Sequence, residues 1–478
     1  MSARGPNAQK EIISGPQFGE PIATPDPTKF TVKHGSDKDA YSILDKERGQ
    51  IPPIPFPKAG ANVEPILQLA EALGDKGRDI VQEITKAKQI VFHALGDTGN
   101  IKSATAENSV TDKLVSDFQH ETPQATPSFA YILGDVVYSF GEDKYYYDQF
   151  YDPYRDYPAP IFAIAGNHDG MVAPNTDTPT LKAFLENFCT AGQPAHRTPE
   201  AGNLVRTAGI QPGVYFTLEA PFVRIIGLYS NALEDPGIIS SQKNLGQRAK
   251  RYPNISDEQI DFLEAALNRA KKDKPGAVII AVHHPPYVAI APPSTPTAGK
   301  KTPSKQTAGK HGNSPEMLAD IDRVCDKVGL WPDAILCGHA HNYQRFTRYN
   351  GKRETPYVLC GNGGHAHNLL TKKGSPTLRT PAEQPGLSNG TDKVIFENYD
   401  DQDYGYLRII VDEAQLRIEF HPASDGPEAK TPDDSVTVDL KTQTLVHYDP
   451  PSHTDAKAPK PLRKKRPANR TRRPAGRG

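Results

Sequence analysis

The stretch Tyr131-Ile132-Leu133-Gly134-Asp135-Val136-Val137-Tyr138 decides how the chain is read. An apolar run from Phe129 to Leu133 ends in Gly134, and an acid follows at once. That pattern is a buried strand entering a tight turn, with Asp135 at the carboxyl end of the strand. In open α/β sheets the ligand crevice lies outside those ends. Tyr138 stands three residues on, within reach of the same pocket. One such turn is weak evidence, but the pattern repeats. Apolar runs lead through a glycine to Asp97, to Asn167 and to His339, and a further run ends at His283 without one.

Around these turns lie 478 residues, enough for one large α/β domain with tails or for about three domains at ~150 residues each. The 45 prolines are nearly twice the usual share and gather at the ends and in a few internal loops. No apolar stretch approaches the ~20 residues that span a bilayer. The segment after Met1 has no apolar h-region. Cys189, Cys325, Cys337 and Cys360 show no CxxC or finger spacing, and three sit in apolar runs, so they read as buried free thiols. The expectation is a reducing cytoplasm, with export by a non-Sec route left open. The net charge of −1 conceals an asymmetry: Lys457 to Gly478 holds ten Lys/Arg and no acid, which leaves 46 basic against 57 acidic residues elsewhere.

Residues 1–60 read as a Pro-rich extended arm, 61–425 as one folded domain that carries the strand-end turns, and 426–478 as a tail, basic and disordered from 457. Within the domain, Ile66, Leu67, Ala70 and Leu73 have helical spacing, and Gln89 to Leu95 reads as a central strand. Val110, Leu114, Val115 and Phe118 mark a helix. Pro160 to Ala165 is a strand, and Leu181 to Phe188 a helix. Val214 to Leu218 and Val223 to Leu228 pair as strands. Ser256-Asp257-Glu258-Gln259 is a capping box for the helix carrying Ile260, Leu263 and Leu267. Ala277 to Val282, Ala334 to Cys337 and Tyr357 to Cys360 are strands, and Ser314-Pro315-Glu316 opens a helix. Tyr406 to Val411 and Leu416 to Phe420 form a hairpin. Loops cover 191–213, the basic 291–314 and about 362–393, and beyond about residue 425 no core-forming pattern is visible.

The strand ends collect Asp97, Asp135, Tyr138, Asn167, His283, His339 and His341. Carboxylates, imidazoles, an amide oxygen and a phenol, without thiolates, suit Fe, Mn or Zn. Seven donors exceed the needs of one ion and fit two sharing a carboxylate. Two such ions, ~3.5–4 Å apart, clamp the attacking and leaving oxygens of a phosphoryl group. His93 and His120, inside elements, read as structural. The Tyr145-Tyr146-Tyr147 run reads as packing.

These motifs, Gly96-Asp97, Gly134-Asp135, Gly166-Asn167-His168-Asp169, His283 and Gly338-His339-Ala340-His341, resemble the signature of the calcineurin-like metallophosphoesterases, in the family's order. Most members carry Asp-x-His in the first motif. Here Gly99 replaces that histidine and Tyr138 follows the second-motif acid, an exchange that resembles the purple acid phosphatases. His339-Ala340-His341-Asn342-Tyr343-Gln344-Arg345, Gly361-Asn362-Gly363-Gly364-His365 and Tyr404-Gly405-Tyr406 are similar to further segments of that group. The resemblance implies an α/β fold of two packed mixed β-sheets flanked by helices, a four-layer sandwich. It implies that Asp97, Tyr138 and His341 hold Fe(III), that Asn167, His283 and His339 hold a divalent ion (Fe, Zn or Mn), and that Asp135 bridges. His168 would face the substrate, with Asp169 orienting it. A metal-bound hydroxide would attack a phosphate monoester in line. His-x-Pro spacing favours His283 over His284 as ligand; His284, His365 and His367 are left as candidates for the substrate pocket.

The rival with the same site is a phosphodiesterase acting on nucleotides or lipid head groups. The rival of another class is a non-catalytic anion or nucleic-acid binder working through the basic tail. That tail lacks aromatic interleaving, and the complete donor set argues for the enzyme. The substrate expected is a small phosphorylated molecule.

Overall fold

The structure is a computed structural model that describes residues 64–120, 125–171, 178–189, 211–231, 236–240, 256–289, 311–370, 378, 380–384, 387 and 392–447. The arm at 1–60, the tail from 457, the His120 side chain and most of the 191–213 and 291–314 loops lie outside these residues. The chain divides into two compact units, Met1–Leu445 and Val446–Gly478, and the strands and helices below belong to the first.

In chain order the first strands are β1 Ile66–Gln68, β2 Gln89–Leu95, β3 Ala130–Ile132, β4 Ile161–Ala163, β5 Phe216–Ala220, β6 Val223–Leu228, β7 Ala277–Val282 and β8 Ala334–Cys337. There follow β9 Tyr343–Asn350, β10 Arg353–Cys360, β11 Ala382–Glu383, β12 Lys393–Asp400, β13 Gly405–Asp412, β14 Gln415–Pro422, β15 Asp434–Asp439 and β16 Thr444–Leu445. The helices are α1 Leu69–Ala72, α2 Gly77–Ala87, α3 Thr105–His120, α4 Asn167–Gly170, α5 Lys182–Phe188, α6 Glu258–Asp273 and α7 Pro315–Val328.

One sheet has the order β1-β5-β6-β7-β8-β10-β9-β12-β11, the other β16-β15-β14-β13-β2-β3-β4. Both are mixed. β2, β3 and β4 run parallel in one, and β6, β7, β8 and β10 in the other. The parallel strands are the unbroken apolar runs: all six residues of β7 are buried, as a strand covered on both faces requires. Each buried Ile or Val there contributes roughly 1.5–3 kcal/mol. The two sheets pack face to face, Tyr131 of β3 against Phe216 of β5 and Tyr343 of β9 stacked on Phe420 of β14 at 4.1 Å. Outside one sheet α6 sets Phe262 4.9 Å from Tyr215; outside the other α3 sets Phe118 against His93 of β2. The result is helix, sheet, sheet, helix.

Four features differ from the sequence reading. Ile66 to Gln68 is a strand, because it pairs in parallel with β5, and the helix follows it. α2 and β12 are amphipathic elements half open to solvent that the sequence reading passed over, although Ile80, Val81 and Ile84 of α2 have helical spacing. Ordered structure continues past residue 425: β15 pairs with β14, burying Val436 and Val438, but two valines in a polar run are too short a signal. The capping box before α6 is not formed. Gln259 instead accepts from the Tyr229 N–H and donates to the Tyr229 carbonyl.

That use of glutamine recurs. Gln149 brackets Tyr138, Gln211 brackets Ala163, and Gln344 brackets Ala289, each accepting from the N–H and donating to the C=O of one residue. A primary amide offers the same donor and acceptor as a neighbouring strand. It satisfies backbone groups where a strand or turn has no partner on that side.

Candidate metal centre

The carboxyl ends of β2, β3 and β4 meet those of β7, β8 and β10 across the two sheets, and the turns that follow are laced together. Asp97 donates its N–H to the Gly134 carbonyl, Thr98 to Asp135, Gly338 to His283, and His365 to Asp97. Asp97, Asp135 and His339 hold φ of 55°, 54° and 73°, the left-handed region that non-glycine residues avoid. Three strained residues at three adjacent strand ends aim their side chains inward, and such strain gathers at functional sites. Gly134, at φ 94°, supplies the turn itself. Gly166 leaves the space that the Asp135 carboxylate fills; a Cβ there would collide with it.

All seven candidate donors converge, and all are buried. The Tyr138 hydroxyl lies 3.0 Å from Asp97 Oδ1, 3.0 Å from Asp135 Oδ2 and 3.4 Å from His341 Nε2. Asn167 Oδ1 lies 3.0 Å from His283 Nε2 and 2.9 Å from His339 Nδ1. His283 Nε2 and Asp135 Oδ2, 3.3 Å apart, join the two groups. Asp135 thus stands between Tyr138 and His283, where a bridging carboxylate would stand.

The residues fit metal ions. Donor atoms of Asp135, His283 and His339 lie within 4.8 Å of one another. Two carboxylates face one phenol, which has a single proton to give, so one contact of the pair is repulsive unless a cation intervenes. The imidazoles are set for ligation. His283 Nδ1 is 2.7 Å from the Leu133 carbonyl and His341 Nδ1 is 2.8 Å from the Ala366 carbonyl. A carbonyl only accepts, so both Nδ1 carry hydrogen and Nε2 is the ring atom turned to the cluster, the one that would bind a metal once free of its own proton. Burial disfavours a charge on His283, but Asp135 holds its pKa up at about 9. Asp135 also pays for burial, yet His283 and His168 hold it well below the carboxylate range. Burial, then the crowd led by His284 and His311, pushes His339 well down.

His168 lies with its ring 4.2 Å from that of Tyr138, and its Nδ1–H points at the Ser139 carbonyl, 2.7 Å away. Asp169 does not orient it. Its carboxylate accepts from the N–H groups of Gly166, Val136 and Val137. Asp169 is the third residue of α4 and reaches back to the residue before the helix, bracing the Asp135 turn instead. Burial and the charge of Asp135 push its pKa up to about 7.

The three pocket candidates divide. His365 stacks on Tyr138 at 3.7 Å and lies 4.6 Å from His341, with Nδ1 2.8 Å from the Gly99 carbonyl. His284 is buried behind His339, ring centroids 4.3 Å apart, and tied to the Ser230 hydroxyl at 2.7 Å. His367 lies farther out, half-buried against Tyr404 at 3.8 Å. The sequence reading missed His311 as a site residue. Its ring sits 4.7 Å from His339 and 5.0 Å from His341. The signal was slight: a His-Gly pair shortly before the Pro315 helix start, at the end of a basic loop.

The calcineurin-like phosphoesterase family model matches residues 90–343, more than half of the chain and all seven donors. The chain belongs to the calcineurin-like phosphoesterase family. As a member of that family it is a metallophosphoesterase, and the buried Asp/His cluster fits the family's metal centre. Similar solved structures include purple acid phosphatase PPD1 from yellow lupin (Lupinus luteus) seeds, at 16% identity and TM-score 0.44. That match covers 73% of this chain and 54% of the lupin chain, so this chain spans about half the lupin protein. GAP50, the anchor in the inner membrane complex of Plasmodium, matches at 14% identity and TM-score 0.43, over 74% of this chain and 91% of that one. PhoD matches at 11% identity and TM-score 0.41, over 75% and 71%. No curated protein matches the chain closely enough to count as a relative. Among the described residues no helix is long and apolar enough to cross a membrane. All four cysteines are free.

Proposed function

We propose that this phosphoesterase hydrolyses phosphate monoesters at a centre of two ions, Fe(III) beside Tyr138 and a divalent ion beside Asn167. The observation that carries the reading is the Tyr138 hydroxyl facing two buried carboxylates and His341 Nε2. A phenol among those hard donors favours a ferric ion. Asp97, Tyr138 and His341 would hold it; Asn167, His283 and His339 would hold the divalent partner; Asp135 would serve both. Bound there, the ions would supply Lewis acidity, lowering the pKa of water and neutralising the phosphoryl oxygens. The chain's part is orientation. Leu133 and Ala366 carbonyls fix two imidazoles, and Asp169 fixes the turn that carries Asp135. His168, its Nδ1–H held by Ser139, would in its imidazolium form present Nε2–H as the donor that stabilises the phosphoryl group or gives its proton to the leaving oxygen.

A visible spectrum with metal analysis tests this. The purified protein should hold two metal ions, one of them iron, and show a broad violet-to-purple band that Tyr138→Phe loses. Two zinc or manganese ions and no colour would overturn the ferric assignment and keep the phosphoesterase. Comparing a phosphate monoester with a bis-aryl diester decides the ester class: faster diester turnover would overturn the monoester half.

A further inference from the structure

We propose that a cavity beside the metal centre receives the organic half of the substrate, and that this half is flat, uncharged and larger than one aromatic ring. The proposal rests on the phosphatase reading above and adds a substrate class to it. The cavity measures about 570 Å³, within the range of small-molecule sites. It lies between residues 100–109, which lead into α3, and the 361–367 turn, and the Asn100 amide ties the two together by donating to the Gly364 carbonyl. His365 lines it. The same ring stacks on Tyr138 and lies 4.6 Å from His341, so cavity and donor cluster share a wall one imidazole thick.

The lining sets the class. Ile101, Ala106 and Tyr404 offer apolar and aromatic surface. The polar side chains of residues 100–109 other than Lys102 are already engaged within that segment, Ser109 donating to the Thr105 carbonyl. Asn100 Oδ1 accepts from the Lys102 and Ser103 N–H groups, and the Ser103 and Thr105 hydroxyls bond each other at 2.6 Å. Among the described residues no acid lines the cavity; Lys102 is exposed, and His365 is stacked on Tyr138 with Nδ1 on the Gly99 carbonyl. A charged ligand group would be desolvated there without a fixed partner. A flat apolar group would find two ring surfaces in the lining, His365 and Tyr404, to pack against.

The test is calorimetric binding of two phosphonates to the metal-loaded full-length protein. Methylphosphonate has the phosphoryl head alone; naphthylmethylphosphonate adds a two-ring group. The naphthyl compound should bind at least about tenfold more tightly. Ala106→Trp, which fills the cavity, should bring that ratio close to one. Tyr404→Ala, which removes a wall, should lower it by a different route should the first variant fold poorly. A ratio near one in the wild type, or one kept by both variants, would overturn the subsite while methylphosphonate binding upholds the phosphatase. Binding of neither compound would overturn both.

Discussion

Two buried clusters in this molecule are built from the same residue types, and only one behaves as a site. Beneath α3, His93 Nδ1 faces the Tyr157 hydroxyl at 3.1 Å and Nε2 faces Asp117 at 2.9 Å. Asp117 also accepts from Tyr406 at 2.8 Å and from Lys430. Its acceptors are matched by donors, and they sit on the regular backbone of α3, β2 and β13. Burial opposes the charge on Asp117, but His93 and Lys430 bring it well below the carboxylate range. At the strand ends two carboxylates share one phenol, three residues are held at positive φ, and the Nε2 atoms of His283 and His341 are turned into the cluster. Histidine, aspartate and tyrosine in a core do not mark a site. An excess of acceptors over protons, held in place by strain, does.

The largest effect should separate the clusters most cleanly. Asp135→Asn removes the charge between the two groups of donors. Phosphatase turnover should fall at least about a thousandfold, the order of a lost transition-state charge contact. Metal content should fall with it, while the melting temperature of the metal-free protein changes little, because His283 can shed its proton when its partner goes. Asp117→Asn should do the opposite. It leaves His93, Tyr406 and Lys430 facing a neutral amide and should cost ~3–5 kcal/mol in urea unfolding, the usual cost of breaking a buried pair. Turnover per folded molecule should stay at the wild-type value. An inactive but stable D117N protein would erase the distinction.

Much of this was legible because apolar run, glycine and polar residue recur at strand ends, and a strand's carboxyl end is where an α/β fold puts its ligands. Asp97, Asp135, Asn167 and His339 each announce themselves that way, His283 ends such a run without the glycine, and the two-sheet architecture follows from the same runs. What stayed hidden depends on backbone conformation or on distant pairing. Positive φ at three non-glycine residues leaves no trace in composition. Asp169 stands beside His168 in sequence, which suggested a partnership; one turn of helix sends its carboxylate back to Gly166 instead. Gln149 looks like any polar residue in a Tyr/Asp-rich segment, yet it brackets Tyr138. His311 comes from a Lys/Pro/Gly-rich loop with no periodicity to place it. β15 is carried by two valines whose partner strand lies elsewhere in the chain.

Glu107 belongs to neither cluster and sharpens the line between them. It sits on α3, fully buried, and neither carboxylate oxygen has a hydrogen-bond partner among the described residues. Burial, and secondarily the charge of Asp152, raises its pKa well above the ordinary value. A folded-state pKa above the unfolded one, about 4.3, fixes the sign. The folded chain holds this proton more tightly, so the contribution is complete below about pH 4.3 and is lost as pH rises through the folded pKa. Glu107→Gln keeps the shape and cannot ionise. It should remove that slope, which is about 1.4 kcal/mol per pH unit between the unfolded and folded pKa values, so the variant gains on wild type as the pH rises through that window. Urea unfolding of both proteins from pH 4 to pH 9 measures it. Parallel curves would mean that the carboxylate stays charged and compensated in the folded chain, by a cation or by hydrogen-bond donors beside it, and would overturn the assignment of Glu107 as a buried neutral acid.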